Sequence, residues 1–428
     1  MDEKQRSRRD FWQNIAIVAL SLSAVFLFSR TQLYTLASSI VSQQVNQLLE
    51  SPVQTESSAG AAAAPLSAPV HVAVSGAYGR FGNIRLVTSD DAFRPLGDLL
   101  NAALGSARTY TVCSEGAFLE ALNSASVYYD FLTPLPFSIL AGMTGADTSD
   151  ELQARHLILS DQGDRGVQLY IQDADNTYRY CTTAVSRSDL INITNNYELG
   201  NAIFAYELAA TDSAYGSVEP CSLFLTDVLT GLPALRMKST PSSTDHLLSA
   251  LSFNPRTNYR YPESDGTEVI VEGERSLRIR PNGMLLYRSS GESALTIEAA
   301  NPAAPTLQEA ASGVGLLLRK LQGESTDRLY LLDIRQNDTT TVLQFGYHAN
   351  GIPIRFSDDA CAAEITLDGN TIVSLDFRFR QYEESGESAA LLPPRQALAI
   401  AAANGSTTLS IGYADTDSDT LQACWLTE

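Results

Sequence analysis

The strongest pattern in the chain is an unbroken apolar run near its start. Residues 11–29 carry no charge. As a helix rising about 1.5 Å per residue they reach roughly 28 Å, close to the hydrocarbon thickness of a bilayer. Trp12 sits at one edge of the run, where an amphipathic ring is favoured. Lys4, Arg6, Arg8 and Arg9 precede it and Arg30 follows. The positive-inside rule therefore puts residues 1–10 in the cytoplasm and everything after Arg30 outside. The competing pattern, a cleaved signal peptide, wants a shorter apolar core and a small-x-small site. The run ends instead in Phe26-Leu27-Phe28-Ser29-Arg30, so an uncleaved anchor is expected. Ala16, Ala19 and Ser23 fall on one stripe of this helix, the kind of face that lets a second membrane helix approach closely. Alanine and serine are also common in membrane helices by composition.

Beyond the anchor the periodicity changes several times. Leu33, Leu36, Ile40, Val45 and Leu48 keep helical spacing, which predicts a stalk over residues 30–50. Residues 51–69 are rich in Ser, Ala and Pro without periodicity and read as a flexible tether. A mixed region then fills 70–241. VHVAV, VYYDFL, RHLILS and GVQLYIQD read as strands, with Asp173-Ala174-Asp175-Asn176 as the turn into TYRYCTTAV. NAIFAYEL reads as another strand. Helices are expected over 92–104, 115–124 and 188–197.

The region 242–428 is antiparallel in pattern. A short helix over 245–251 leads into TEVIVEGERSLRIRPNGMLLYR, which alternates strand and turn. Leu307, Ala310, Ala311, Val314, Leu317 and Leu318 mark one face of an amphipathic helix over 306–321. Asn350-Gly351 and Asp368-Gly369-Asn370 are hairpin signals. A last helix, PRQALAIAAAN, precedes two closing strands. The plan is α+β, sheet with a packed helix given twice, in sub-units of about 242–300 and 301–428.

Composition narrows the partners. The chain has 428 residues, 44% apolar and 18% charged, with 49 acidic against 29 basic side chains and a formal charge of −20. A nucleic-acid footprint is basic, so nucleic acid is not expected as a partner. Five cysteines, Cys113, Cys181, Cys221, Cys361 and Cys424, are widely spaced without a CxxC pair. That is neither a zinc pattern nor a dense disulfide framework. A bridge such as Cys361 with Cys424 and buried unpaired thiols are both compatible with it.

The usual catalytic and metal motifs are missing. The four histidines, His71, His156, His246 and His348, lie in no HExxH and beside no Cys/His cluster. There is no GxSxG elbow and no Walker A loop. Gly76, Gly79 and Gly82 are spaced GxxGxxG and read as a turn, because a phosphate loop needs a helix N-terminus after it. Asp415, Asp417 and Asp419 have the spacing that opens a calcium loop, but Thr420 and Leu426 stand where such a loop has Gly and Glu; a solvated hairpin turn is expected. Asp161 and Asp164 near Arg165 read the same way. Tyr128, Tyr129, Tyr178 and Tyr180 suit either a groove or cross-strand packing. No catalytic residue, cofactor or metal ligand is assigned.

One stretch carries a family signal. LSFNPRTNYRYPESDGTEVIVEGERSLRIRPNGMLLYRS, over 251–289, resembles the middle part of YycH-type regulatory proteins of Gram-positive bacteria. The matching residues are Asn254, Pro255, Asp265, Gly266, Val269, Val271, Glu272, Gly273, Leu277, Arg278, Ile279, Pro281 and Gly283. The order of parts agrees: one N-terminal span, an α/β region, then a region similar to YycI whose tail is like PepSY units. Cys424 departs from that tail pattern, which has proline before Trp425. The resemblance implies a non-enzymatic membrane protein that regulates a sensor histidine kinase of the WalK type in cell-wall control, through membrane-helix and outer-domain contacts, with a YycI-type membrane protein as a second partner. Two other readings stand beside it: a tethered binding module for cell-wall polymer or a protease, and an enzyme with a novel site.

Overall fold

The computed structural model describes residues 69–427, apart from 78, 86–92, 142–151, 198–199, 227–231, 242, 292–293, 324–327 and 358–359. The expected span, its stalk and nearly all of the tether lie outside the described residues, and with them Ala16, Ala19 and Ser23. Among the described residues no helix is long and apolar enough to cross a membrane.

The first region folds as one sheet buried on both faces. Its strands are β1 (His71–Gly76), β2 (Gly79–Asn83), β3 (Thr111–Cys113), β4 (Ser126–Pro136), β5 (Gln153–Asp161), β6 (Val167–Asp173) and β7 (Tyr178–Thr182). They lie in the order β2-β1-β4-β5-β6-β7-β3, every neighbour antiparallel. Alternation sends Val72, Val127, Tyr129, Leu157 and Leu169 to one face, against Leu96, Leu99, Leu100 and Leu104 of the helix Arg94–Ser106. The other face carries Ala73, Tyr128, Ile158 and Tyr170, covered by Phe118 of the helix Glu115–Ala121 and by Phe204. Ser114 caps that helix by accepting from the Ala117 N–H at 3.2 Å, a contact worth about 1 kcal/mol.

Two details differ from the sequence reading. The glycine-rich segment is a turn only at its start; Gly79–Asn83 is itself β2. Gly82 permits this, since a Cβ there would lie 2.5 Å from the Cβ of Ala202. NAIFAYEL is a strand for three residues, β8 (Ala202–Phe204), and then a helix, Ala205–Ala209. The switch follows from Glu207, whose carboxylate accepts from the Phe204 N–H at 3.0 Å and satisfies the helix start. β8 pairs with β9 (Leu223–Leu225), and β10 (Leu232–Lys238) follows.

The remaining strands are β11 (Tyr259–Pro262), β12 (Glu268–Glu272), β13 (Arg275–Ile279), β14 (Met284–Ser289), β15 (Leu295–Thr296), β16 (Arg328–Asn337), β17 (Thr340–Ala349), β18 (Ile352–Phe356), β19 (Ala363–Asp368), β20 (Thr371–Arg378), β21 (Gln381–Ala389), β22 (Ser410–Asp415), β23 (Thr420–Leu421) and β24 (Ala423–Leu426). Twelve strands form one sheet, ordered β11-β12-β13-β14-β20-β19-β17-β18-β22-β24, with β15 on β20 and β16 on β17. After the last helix, β23 pairs with β10, while β22 and β24 join this sheet rather than forming a second one. They do so through the parallel pair β18–β22, which sets Ile354 beside Tyr413. The helix Leu307–Gln322 packs Leu307, Ala310, Val314, Leu318 and Leu321 into the core, each buried Leu or Val contributing about 1.5–3 kcal/mol. Its start is a capping box between Thr306 and Glu309.

The chain is thus mixed α+β with mostly antiparallel sheets. Residues Ala62–Glu428 form one compact unit. β10 lies between β21 and β23 in a three-stranded sheet, which ties the chain before Pro241 to its last fifty residues. One hydrophobic cluster runs from Val72 to Ala423.

Candidate functional site

Register brings polar residues into a row across the first sheet. His71 of β1 lies opposite Asp130 of β4, Asp130 opposite His156 of β5, and His156 opposite Gln172 of β6. Each of the first three sits at a buried position of its strand. His71, Asp130 and His156 are all more than nine-tenths buried.

The Asp130 carboxylate is the hub. Its Oδ2 accepts from Nδ1 of His71 at 3.1 Å. Its Oδ1 meets Nε2 of His156 and Nε of Arg155, each at 3.4 Å, and accepts from the Leu132 N–H at 2.8 Å. Burial opposes ionisation of this carboxyl, but the charges of His156 and Arg155 and the hydrogen bonds from both histidines outweigh it and hold it well below the usual carboxylate range. The Leu132 contact comes from an irregular stretch of β4 after Asp130, where Leu132 takes a left-handed φ of 64°. Such a conformation costs a non-glycine residue roughly 1–2 kcal/mol. Next to it, Thr133 Oγ1 donates to the Leu332 carbonyl of β16 at 2.6 Å, docking this bend onto the larger sheet.

The hydrogen bonds fix the proton positions. An ionised Asp130 only accepts, so Nδ1 of His71 carries its proton and donates. That tautomer leaves Nε2 of His71 as an acceptor, and it has no hydrogen-bond partner. Both ring nitrogens of His156 face oxygens, Asp130 Oδ1 and Gln172 Oε1, the latter at 2.5 Å. The Gln172 amide nitrogen is committed to Asn176 Oδ1 at 3.0 Å. Arg155 completes the group with a two-pronged pair to Glu219, both contacts at 3.2 Å.

This cluster lies along one wall of a cavity of about 870 Å³, within the range of small-molecule sites. The opposite wall is the polar face of the large sheet. There a second transverse row runs Asp333 (β16), Gln344 (β17), Glu364 (β19), Asp376 (β20), each directly opposite the next. Tyr330, Leu332, Ile354 and Phe356 give the cavity apolar surface.

An Asp–His pair can act as a hydrogen-bond acceptor or as a proton acceptor. The thiol of Cys221, also on the cavity wall, is pushed far up by burial and by the charges of Asp130 and Glu219. It stays protonated and poorly nucleophilic. The geometry supports binding more directly than covalent chemistry.

The features singled out from sequence take other roles. Asp415 is buried and holds Arg380 Nε at 3.2 Å, while Tyr382 donates to it at 2.8 Å and Asp417 also meets Arg380. Asp415 thus anchors a buried guanidinium, while residues 416–420 are exposed as the expected solvated turn. Asp161 pairs with Arg187 at 2.8 Å. Tyr128 and Tyr129 point to opposite faces of the sheet, donating to the Cys221 and Leu96 carbonyls. Tyr180 stacks on Tyr170, and Tyr178 packs at a tilt against Phe118; these are packing contacts. All five cysteines are free thiols, so no Cys361–Cys424 bridge is present. Sequence reasoning passed over the His71–Asp130–His156 row. Its available signal was a His or Asp inside each of the runs VHVAV, VYYDFL and RHLILS.

No family model, no curated protein and no solved structure matches this chain.

Proposed function

We propose that the chain is a non-enzymatic regulatory protein, anchored by a membrane helix over 11–29, whose outer body responds to a ligand in the cleft between its two large sheets. The observation that carries this reading is the cavity itself. One wall is the His71–Asp130–His156 row and the other is the polar face of β16, β17, β19 and β20. A ligand touching both walls changes the balance between packings of the two sheets, and only unequal contact with two states can shift them.

The resemblance to YycH-type proteins over 251–289 supplies the partner: a sensor histidine kinase of the WalK type, with a YycI-type membrane protein beside it. In this reading the N-terminus is cytoplasmic and the bulk extracellular. The C-terminal region corresponds to the YycI- and PepSY-like parts, and Ala16, Ala19 and Ser23 form the membrane contact face. The test replaces residues 11–29 with a poly-Leu helix in cells carrying a kinase-output reporter. Output is expected to change while the outer body keeps its fold. Unchanged output, both on that swap and on removal of residues 70–428, refutes the regulator.

The cleft also favours a second reading, an extracellular binding module for which the helix is only a tether. Residues 70–428 alone would then bind the ligand with full affinity, and the poly-Leu swap would alter nothing.

A further inference from the structure

Among the described residues six large apolar side chains stand exposed, and the two aromatic ones are neighbours. Tyr259 is 69% exposed and Tyr261 37%. They lie two residues apart on β11, so both project from the same face, with ring centroids 5.7 Å apart. β11 ends the order of the large sheet and pairs with β12. Val271 and Val269 lie directly opposite the two tyrosines and give the rings an apolar footing. Further along the same face Glu263 meets Arg278 of β13 at 3.3 Å, both side chains partly exposed. Tyr259, Tyr261 and Glu263 thus make a straight ledge about 13 Å long, at about 3.3 Å per residue.

We propose that this ledge binds an extended, uncharged glycan, with successive sugar rings stacked on Tyr259 and Tyr261 and hydroxyl groups bound by the Arg278–Glu263 pair. The face of an aromatic ring carries partial negative charge, and a pyranose with equatorial hydroxyls offers it a flat face of C–H bonds. Arg278 and Glu263 commit one donor and one acceptor to each other and keep the rest for hydroxyls. The pair is neutral as a unit, and the chain's formal charge of −20 repels a polyanion. A protein partner fits less well. A protein hot spot lies in a packed centre ringed by contacts that exclude water, whereas these rings are flanked by Glu263, Ser276 and Arg278. Addition of a partner strand to β11 is opposed by Pro262, which has no N–H, and by the charge of Arg260. None of the residues lining the cleft comes from β11, β12 or β13, so glycan binding here is independent of what the cleft takes up.

The test titrates the full chain in lipid nanodiscs, by calorimetry, with four probes. Cellotetraose and chitotetraose are extended and uncharged, maltotetraose is curved, and tetragalacturonate is an anion of similar length. At least one of the first two is expected to bind, with the curved and anionic probes weaker by about tenfold or more. Tyr259→Ala and Tyr261→Ala are each expected to weaken binding by about tenfold, the scale of one ring's face contact. Tyr261→Phe keeps the ring and should bind as the wild type does. Ile400→Ala, at another exposed apolar position, should change nothing. Unchanged affinity in both tyrosine-to-alanine variants overturns the proposal, because the glycan then sits elsewhere. An equal loss in Ile400→Ala, or a loss in Tyr261→Phe as large as in Tyr261→Ala, overturns the stacking. Equal binding of maltotetraose or tighter binding of tetragalacturonate overturns the choice of ligand. If no probe binds, the proposal is overturned, and a protein captured in cells by the photo-crosslinking variant Tyr259→p-benzoylphenylalanine then gives the ledge to a protein partner instead.

Discussion

Replacing Asp130 with Asn probes the hub of the polar row without changing its shape. The carboxylate is one member of a buried charge group, and removing one partner of such a group costs about 3–5 kcal/mol. Asparagine keeps an oxygen for the Leu132 N–H, and Arg155 retains Glu219, so the lower end, about 3 kcal/mol, is expected. With an unfolding entropy of about 2.1 cal/mol/K per residue over roughly 360 residues, that loss lowers Tm by about 4 °C. The assay is urea unfolding of the full chain in detergent, followed by tryptophan and tyrosine fluorescence, for wild type and Asp130→Asn side by side. The pH dependence adds a sign. The folded-state pKa of Asp130 is depressed below its ordinary 3.8. Its contribution is therefore complete above that ordinary value and disappears as pH falls through the depressed one. The difference between wild type and variant should stay constant from pH 7 to pH 5 and narrow below about pH 4, since the protonated wild type approaches the variant. A difference under about 1 kcal/mol at pH 7, the scale of an exposed pair, or one that widens below pH 4, refutes the assignment of Asp130 as an ionised hub.

Four further outcomes can be checked on purified protein. Gly283→Ala should cost more than about 2 kcal/mol in a denaturation series, because φ is 82° and a Cβ would lie 2.2 Å from the Ser239 carbonyl oxygen. Gly273→Ala, at φ 58° with open space around it, is the control and should cost about 1 kcal/mol. Thr306→Ala removes the acceptor for the Glu309 N–H and should lower stability by about 1 kcal/mol, with the loss visible as faster amide exchange in the first turn of Leu307–Gln322. Arg380→Met should cost about 3–5 kcal/mol by stranding Asp415, and adding Asp415→Asn should recover at least half of it. Burial pushes the Cys181 and Cys361 thiols up to about 11, so iodoacetamide at pH 7.5 should label the native chain far more slowly than the urea-unfolded one, by quantitative mass spectrometry.

Much of the architecture follows from period alone. Leu307, Ala310, Ala311, Val314, Leu317 and Leu318 were spaced for one helical face, and that face is buried. The Pro-Asn-Gly and Asn-Gly turns sit between β13 and β14 and between β17 and β18. Short strands were harder to read. β10 carries Pro233 and charged Arg236 and Lys238, so its pattern hardly distinguishes it from a loop, and only pairing with β21 and β23 makes it a strand. The parallel contact of β18 with β22 joins segments over fifty residues apart, and no local rule encodes it. The candidate site was invisible for the same reason. His71 and Asp130 each appear as a lone polar residue within an apolar run, and His156 sits beside Arg155 at the start of one. They become neighbours only when β4 lies between β1 and β5, an order that chain succession does not give.

The place of β10 has a consequence for the order of assembly. Its two partners, β21 and β23, begin roughly 140 and 180 residues downstream. At the synthesis rates of about 5–20 residues per second, the first of them emerges about 7–30 s later. Over that interval Leu232 and Leu235, both buried in the finished fold, have no sheet to enter, and both edges of their strand stand open. An open apolar edge of this kind invites pairing with another chain. The nascent protein therefore carries a timed vulnerability in its middle, closed only by its last residues, and a chain stopped before residue 381 can never close it.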